Sequence, residues 1–327
     1  MIKPDLKDRK ILYELELDSR QSFRAIGRKV GLSKDVVASR VKKLQEKGII
    51  KFFSTEIDID KLGYSYLRFY YKYQTITPEI KKEIIDCYTN YKHVRTVSSN
   101  HGSNDLCVIY NIKNISDFFY KWGEINLNKY RDYFSSEIFS IITLSKQYKA
   151  TFLLNDYKVE TTDGFKYDFG GSGKRVEIDD FDFRLLQLIS TNARMPMVNI
   201  IKKMNSTAKT VNNRIKNLLK QGVIQGFSIC IDYSKLGYHY FKADVVLKNP
   251  KKLPELIKII EKHPNLKTIQ KSIGYVDVEL SFILENSDQL LKIIEELSTK
   301  LPNVIKNYTY FYHVDIHKFD TEPAKKL

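Results

Sequence analysis

Nowhere does the chain reach about 18 consecutive apolar residues, the length that a membrane-spanning helix requires. The N-terminus Met1-Ile2-Lys3-Pro4-Asp5 also lacks the apolar core of a secretory signal. A membrane-spanning role is excluded, and a cytoplasmic protein is expected. Cysteine is scarce: Cys87, Cys107 and Cys230 lie far apart and form neither a Cys-x-x-Cys pair nor a disulfide framework. A reducing compartment fits this pattern, and neither a structural zinc nor any other metal or cofactor is expected. Acidic residues are the scarcer charge, 39 against 54 Lys plus Arg, for a net charge of +15 that favours polyanionic partners. At 327 residues the chain exceeds what one compact core usually supports, so two to four modules are expected.

One stretch organises the rest. Ser33 to Gly48 begins with a side-chain oxygen suited to capping a helix and ends with a residue that tolerates the left-handed conformation of a helix stop. Val37, Val41 and Leu44 fall at i, i+4 and i+7, so one face packs. Lys34, Asp35, Ala38, Ser39, Lys42 and Lys43 point elsewhere, leaving the other face polar and basic. Alone, this is an ordinary amphipathic helix. It occurs twice, however.

Shifting the sequence by 174 residues aligns Asp5–Tyr66 with Asp179–Tyr240 without a gap. Apolar positions pair as Leu12 with Leu186, Ile26 with Ile200, Val37 with Val211, Val41 with Ile215 and Leu44 with Leu218. The punctuation pairs as well: Ser33 with Thr207, Gly48 with Gly222, and Gly31 with Asn205, the next best left-handed residue. Lys61-Leu62-Gly63-Tyr64 recurs unchanged as Lys235-Leu236-Gly237-Tyr238. A register of this kind identifies a duplication. Each copy reads as a helix at its Asp-x-x-Asp start, a short helix capped by Ser22 in the first copy, a tight turn, and the basic helix. This is the helix-turn-helix arrangement, which offers a helix to the major groove of double-stranded DNA. Residues 1–50 carry 13 basic and 7 acidic side chains and residues 174–224 carry 10 and 4, so most of the net charge lies on these two units. That concentration points to phosphate contact.

After each Leu-Gly the period changes to two. Strands are expected over Tyr66–Gln74, Val94–Asn100, Leu106–Ile112 and Tyr133–Leu144, with helices over Pro78–Tyr91 and Ser116–Leu127. The second half repeats the βαββαβ order: Tyr240–Leu247, Leu253–His263, Leu266–Ser272, Val276–Leu284, Ser287–Leu301 and Val304–His317. Such a ferredoxin-like unit leaves one sheet face to be covered by another unit, here on the same chain. Asn155–Arg175, with Gly164, Gly170, Gly171 and Gly173, reads as flexible coil. A phosphate-cradling role for its glycines would need a helix immediately after them. The fold class is therefore α+β, two tandem copies of a winged or plain helix-turn-helix domain plus a ferredoxin-like βαββαβ (RAM-type) domain. Expected boundaries are 1–63, 64–154, a linker at 155–175, 176–237 and 238–320.

With these parts in hand the chain resembles the Lrp/AsnC family of transcriptional regulators. The resemblance rests on Asp5 to Asp8 and Asp179 to Asp182, on Arg20 recurring as Arg194, and on helices ending Arg-Val-Lys-Lys-Leu-Gln-Glu-Lys-Gly-Ile-Ile and Arg-Ile-Lys-Asn-Leu-Leu-Lys-Gln-Gly-Val-Ile. It implies that the βαββαβ part serves dimerisation and small-molecule sensing, for example of an amino acid. By the same resemblance the effector residues are Gly102, Ser103, Asn104 and Asp105 together with Gly274, Tyr275 and Asp277. Plain hairpin turns explain those residues equally well. This sequence departs from the family in carrying two complete units, so an intramolecular pseudo-dimer is expected, with further homo-oligomers of pseudo-dimers left open.

DNA contact is assigned to Ser33, Lys34, Asp35, Ser39, Arg40, Lys42 and Lys43 and, in the second copy, to Thr207, Lys209, Asn212, Asn213, Arg214 and Lys216. Arg40 and Arg214 either reach phosphate or close a salt bridge to the first helix of their own copy. Asn bonds to adenine and Asp to cytosine, so the two half-sites should differ. Fused Lrp-like units also resemble the siroheme decarboxylases, and His101, His239, His313 and His317 are candidates for a tetrapyrrole pocket. No His/Asp/Ser constellation accompanies them, and an enzyme is not expected. An interaction module that has lost DNA binding is a third reading, suggested by the Asn-Ser-Thr turn of the second copy.

Overall fold

The computed structural model describes residues 4–91, 93–122, 129–154, 164–171 and 174–320. The first copy opens with α1 (Leu6–Leu17), α2 (Phe23–Val30) and α3 (Lys34–Glu46). Asp5 and Asp8 form a reciprocal capping box at the start of α1, and the Ser22 and Ser33 side chains accept the Ala25 and Val36 backbone N–H groups. Gly31 (φ +68°) closes α2, and Asn205 (φ +47°) does so in the second copy, as the pairing of these two positions requires. Extended residues follow as β1 (Ile50–Ile57). Next comes β2 (Ser65–Tyr73), α4 (Pro78–Asn90), β3 (Val94–Gly102), β4 (Leu106–Ile112), α5 (Ile115–Trp122) and β5 (Phe134–Tyr148). Residues 123–128, the expected end of α5, lie outside the described residues.

The coil expected over 155–175 is corrected in part. Phe165–Gly170 forms a strand, β6, paired antiparallel with the end of β5 from Leu144↔Gly170 to Tyr148↔Phe165. Tyr167 and Phe169 are its buried residues, so alternation outweighs the flanking glycines. Residues 155–163 and 172–173 lie outside the described residues. No helix follows the glycine run directly, because the next one begins at Asp180.

The second copy comprises α6 (Asp180–Ile189), α7 (Met197–Met204), α8 (Ala208–Lys220) and β7 (Ile224–Ile231). It continues with β8 (His239–Leu247), α9 (Leu253–Ile260), β9 (Leu266–Ile273), β10 (Val278–Leu284), α10 (Ser287–Lys300) and β11 (Ile305–Phe319). Mixed α and β structure, two helix-turn-helix units and two ferredoxin-like units are thus all present. Strands β1 and β7 pair antiparallel, with Phe53 opposite Ile229 and Ser54 opposite Ser228, and this ribbon ties the two helical heads together.

The other strands form a hydrogen-bonded ring in the order β2-β4-β3-β11-β8-β10-β9-β5, closed by β5 pairing back to β2, with β6 outside on β5. Two strands make closure feasible. Both β5 and β11 have 15 residues, roughly 50 Å at about 3.3 Å per residue, enough to serve both units. Phe134–Ile142 of β5 pairs with β2 of its own unit and Ile141–Gln147 with β9 of the other. Likewise β11 pairs with β8 through Ile305–Tyr312 and with β3 through Phe311–Phe319. At the β3–β11 join a Cβ on Gly102 (φ +131°) would lie 2.5 Å from the Tyr310 carbonyl oxygen, so only glycine fits there.

Alternation then decides what each face buries. Leu67, Phe69 and Tyr71 of β2 pack outward in one apolar core with Ile84 and Tyr88 of α4, while Phe241, Ala243 and Val245 of β8 do the same with Leu290 and Ile294 of α10. Residues of opposite parity face into the ring, and there the interior is charged. Arg68 lies 2.6 Å from Glu279, both essentially inaccessible to solvent, and Lys242 lies 2.5 Å from the same carboxylate. Arg68 also donates to Ser140 Oγ (2.9 Å), Lys242 donates to Gln270 Oε1 (2.6 Å), and the Tyr275 hydroxyl donates to Asp244 (2.9 Å). Burial would raise the Glu279 pKa, but the two cations outweigh it and hold Glu279 ionised. Asp244 goes the other way, raised by burial and by the Glu279 charge.

Candidate nucleic-acid interface

Each head is a three-helix unit whose third helix rests on a fully buried apolar base. Ile11, Leu12, Leu15, Ile26, Val37, Val41 and Leu44 form it in the first copy, and Leu185, Leu186, Ile189, Ile200, Val211, Ile215 and Leu218 in the second. This packing turns the opposite faces outward. Lys34, Asp35, Ser39, Lys42 and Lys43 are all exposed on α3, with Ala38 half-exposed, and Ala208, Lys209, Asn212, Asn213 and Lys216 are all exposed on α8. The outward set read from spacing is therefore presented together on each helix. Ser33 and Thr207 stand at the N-terminal tips, where their hydroxyl oxygens accept the Val36 and Thr210 N–H groups as caps. A capping oxygen of this kind still leaves its own O–H to donate to a phosphate.

Arg40 and Arg214 make the internal contact that their spacing left open. Arg40 Nη1 lies 2.7 Å from Asp5 and 2.8 Å from Asp8, and Arg214 Nη1 lies 2.8 Å from Asp179 and 3.1 Å from Asp182. Of the two roles left open, the structure places both guanidiniums in the internal salt bridge. Each arginine clasps the recognition helix to the first helix of its head and sets the angle between them.

The two heads are also bound to one another. Arg194 donates to the carbonyl oxygens of Ser19 and Gln21 (2.8 Å to Gln21) and stacks over Phe23 and Phe53 at 4.2 and 5.6 Å. Its repeat partner Arg20 lies over Phe227 of β7 at 4.9 Å. Thr55 donates across the seam to the Ile189 carbonyl (2.7 Å). The repeat had marked Arg20 and Arg194 as matched, but nothing along the chain indicated that they meet the opposite copy.

A further contact lies outside every motif. Glu16, on the inner side of α1 and 1% exposed, meets Lys166 of β6 at 2.9 Å and Lys267 of β9 at 2.8 Å. Burial would raise its pKa, but the two ammonium groups bring it down to about 2. In the other copy the residue paired with Glu16 is Ser190, which carries no charge, so this link belongs to the first head alone.

The expected effector turns have internal roles. Asp105 accepts the Tyr73 N–H (2.9 Å) and pairs with Lys72 (2.8 Å), and Asp277 accepts the Leu247 N–H (2.7 Å). Asn104 is buried and accepts from Asn100 (2.5 Å), the Ser103 N–H donates to the Tyr310 carbonyl (3.0 Å), and Gly274 takes φ +89°. Tyr275 points into the ring, with its ring centroid 5.4 Å from that of Tyr70. Hairpin and ring-joining functions account for all these contacts. Of the four histidines, His101 and His239 both pack on the Tyr312 ring, with centroids 5.6 and 5.5 Å away, and the other two make different contacts. His313 is buried against Tyr240, and burial lowers its pKa to about 3, while His317 hydrogen-bonds Ser99 (2.7 Å) and His101 and His239 are exposed. Among the described residues no helix is long and apolar enough to cross a membrane.

Comparison with known proteins agrees with this architecture. A family model for winged helix-turn-helix DNA-binding domains matches residues 4–51 and 178–225, the two heads. An uncharacterized HTH-type transcriptional regulator of Pyrococcus furiosus is 35% identical over 103 residues, 32% of this chain and 70% of that protein. The HTH-type transcriptional regulator LrpB of Bacillus subtilis is 27% identical over 122 residues, 37% of this chain and 82% of its own. Each relative thus corresponds to about one unit of the repeat. Among solved structures, the siroheme decarboxylase NirDL superposes with a TM-score of 0.62 at 12% identity, covering 96% of this chain and 92% of that one. That protein has also been solved in complex with an iron-uroporphyrin III analogue. The expectation that the chain is not an enzyme is overturned by this likeness, because the fused architecture, followed nearly end to end, is one on which an enzyme is built. At 12% identity the likeness is one of fold.

Proposed function

Because the chain belongs to the Lrp/AsnC family of helix-turn-helix transcriptional regulators, in a fused and duplicated form, we propose that a single molecule reads both halves of one operator. The observation that carries this reading is the pair of exposed basic helices, α3 and α8, mounted on heads joined through β1 and β7. Two recognition helices held on one body engage successive major-groove faces about 34 Å apart. Residues 1–63 and 176–237 act as the reading domains, 64–154 and 238–320 as the closed sheet that fixes their spacing and senses an effector such as an amino acid, and 155–175 as the tether. Asp35 on α3 and Asn212 and Asn213 on α8 give the halves different chemistry, cytosine being favoured by Asp and adenine by Asn. Selection of bound sequences from a random library is expected to return two unlike half-sites one helical turn apart. A perfect palindrome would contradict the proposal.

A second reading is supported by one observation, the fold shared with siroheme decarboxylase NirDL. Under it the chain takes up a tetrapyrrole. An absorbance band that develops with saturable stoichiometry on adding an iron porphyrin would favour it, and a spectrum equal to the sum of the separate components would remove it.

A further inference from the structure

A cavity of about 550 Å³ lies at the C-terminal end of α8, against the turn before Gly63 and the residues that lead into α6. Lys61, Lys174, Arg175 and Lys220 line it, together with Asn217 and one acidic side chain, Glu177. Four cations therefore converge on a concave surface against one carboxylate. Among the described residues Lys174, Arg175 and Lys220 have no ion-pair partner. Like charges gathered in this way repel one another, whereas an anion placed among Lys174, Arg175 and Lys220 is attracted by all three.

The backbone holds the cluster together. The Val176 N–H donates to the Lys61 carbonyl (2.6 Å), which fastens the segment carrying Lys174 and Arg175 to the turn carrying Lys61. Arg175 packs across Gly63, which takes the left-handed conformation (φ +78°) that ends the turn. A cation in the last turn of α8 is favoured by the helix dipole, which accounts for Lys220 by itself but not for the other three. The repeat puts Glu46 where Lys220 stands, so the first recognition helix offers no matching cation at its end.

We propose that this cavity is a binding site for a phosphate-bearing anion. A planar guanidinium beside several ammonium groups matches the multiple oxygens and multiple charge of phosphates better than a single carboxylate would. The volume lies within the range of small-molecule sites, about 300–1,000 Å³. The phosphate can belong to a free ligand or to the DNA backbone beyond the groove. With 13 residues in α8, the cavity lies about 20 Å from the N-terminal tip that enters the groove.

The test is calorimetric titration of the full-length chain with inorganic pyrophosphate, wild type against the double variant Lys174→Ala, Arg175→Ala. Saturable binding by the wild type, weakened tenfold or more in the variant at unchanged melting temperature, is expected. Repeating the titration on the DNA complex separates the sources. Retained pyrophosphate binding assigns the site to a free ligand. Loss of that binding, with a flatter salt dependence of DNA affinity in the variant, assigns it to backbone phosphate. Equal pyrophosphate binding by wild type and variant, or none by either, would overturn the proposal.

Discussion

Replacing Lys42 and Lys43 together by alanine is expected to lower DNA affinity by about two orders of magnitude near physiological salt. Each charge-assisted contact to phosphate contributes about 1.5 kcal/mol or more, close to tenfold. The salt dependence supplies the more specific signature. Each lysine that displaces a counterion adds about 0.9 to the slope of log K against log salt, so the double variant should lose nearly 2. Both side chains are exposed on α3, and among the described residues Lys42 makes one loose ion pair, 3.8 Å from Glu46 with both groups well solvated. The substitution therefore leaves the head folded. Lys209→Ala with Lys216→Ala in α8 should act in the same direction, and comparing the two doubles measures how unequally the heads contribute. An unchanged slope after the first double would show that α3 does not lie against DNA.

Glu16→Gln is expected to cost about 3–5 kcal/mol of stability at neutral pH. The variant strands Lys166 and Lys267, two mostly buried ammonium groups, without the carboxylate that compensates them. The pH dependence follows from the lowered pKa. Glu16 titrates at about 2 in the folded chain against an ordinary value of 4.5, so the unfolded chain binds more protons between these limits. Its stabilisation is fully present above 4.5 and is lost as pH falls towards 2. Wild type should shed stability over that window, and the glutamine variant should shed correspondingly less. Urea denaturation at pH 7 and pH 3 measures both effects, and a difference below about 1 kcal/mol at pH 7 would mean that the triad does not anchor the first head to the sheet. The link joins α1 to β6 and β9, so its loss should also loosen the first head relative to the second.

Much of the fold was legible because the repeat doubled every signal. Ser33 with Thr207 and Gly31 with Asn205 mark helix starts and stops in the sequence, and all four occupy those positions. The outward faces of α3 and α8 were legible for the same reason, since period 3.6 separates Val37, Val41 and Leu44 from Lys34 and Lys42. What local pattern could not supply was anything made between distant segments. Period two marks Arg68, Lys242, Asp244 and Glu279 as positions of opposite parity to the core, which normally means solvent. Ring closure through β5 and β11, a matter of long-range pairing, turns that face into a sealed charged interior. Strand β6 was hidden by its glycine neighbours although Phe165, Tyr167 and Phe169 alternate. The clasp of Arg40 on Asp5 and Asp8 spans more than 30 residues, and spacing alone could not choose between carboxylate and phosphate as its partner. The likeness to siroheme decarboxylase was legible in the fusion of two units, and histidines without Asp or Ser partners led away from it, because side-chain spacing reports little of a shared fold at 12% identity.

The central claim, that one chain carries both reading heads, is tested most directly by the mass of its complex with a selected operator, measured in solution together with a footprint. One chain per DNA duplex, protecting two half-sites about 34 Å apart, is the result expected of heads joined through β1 and β7. Two chains on the same two half-sites, each protecting one, would contradict it.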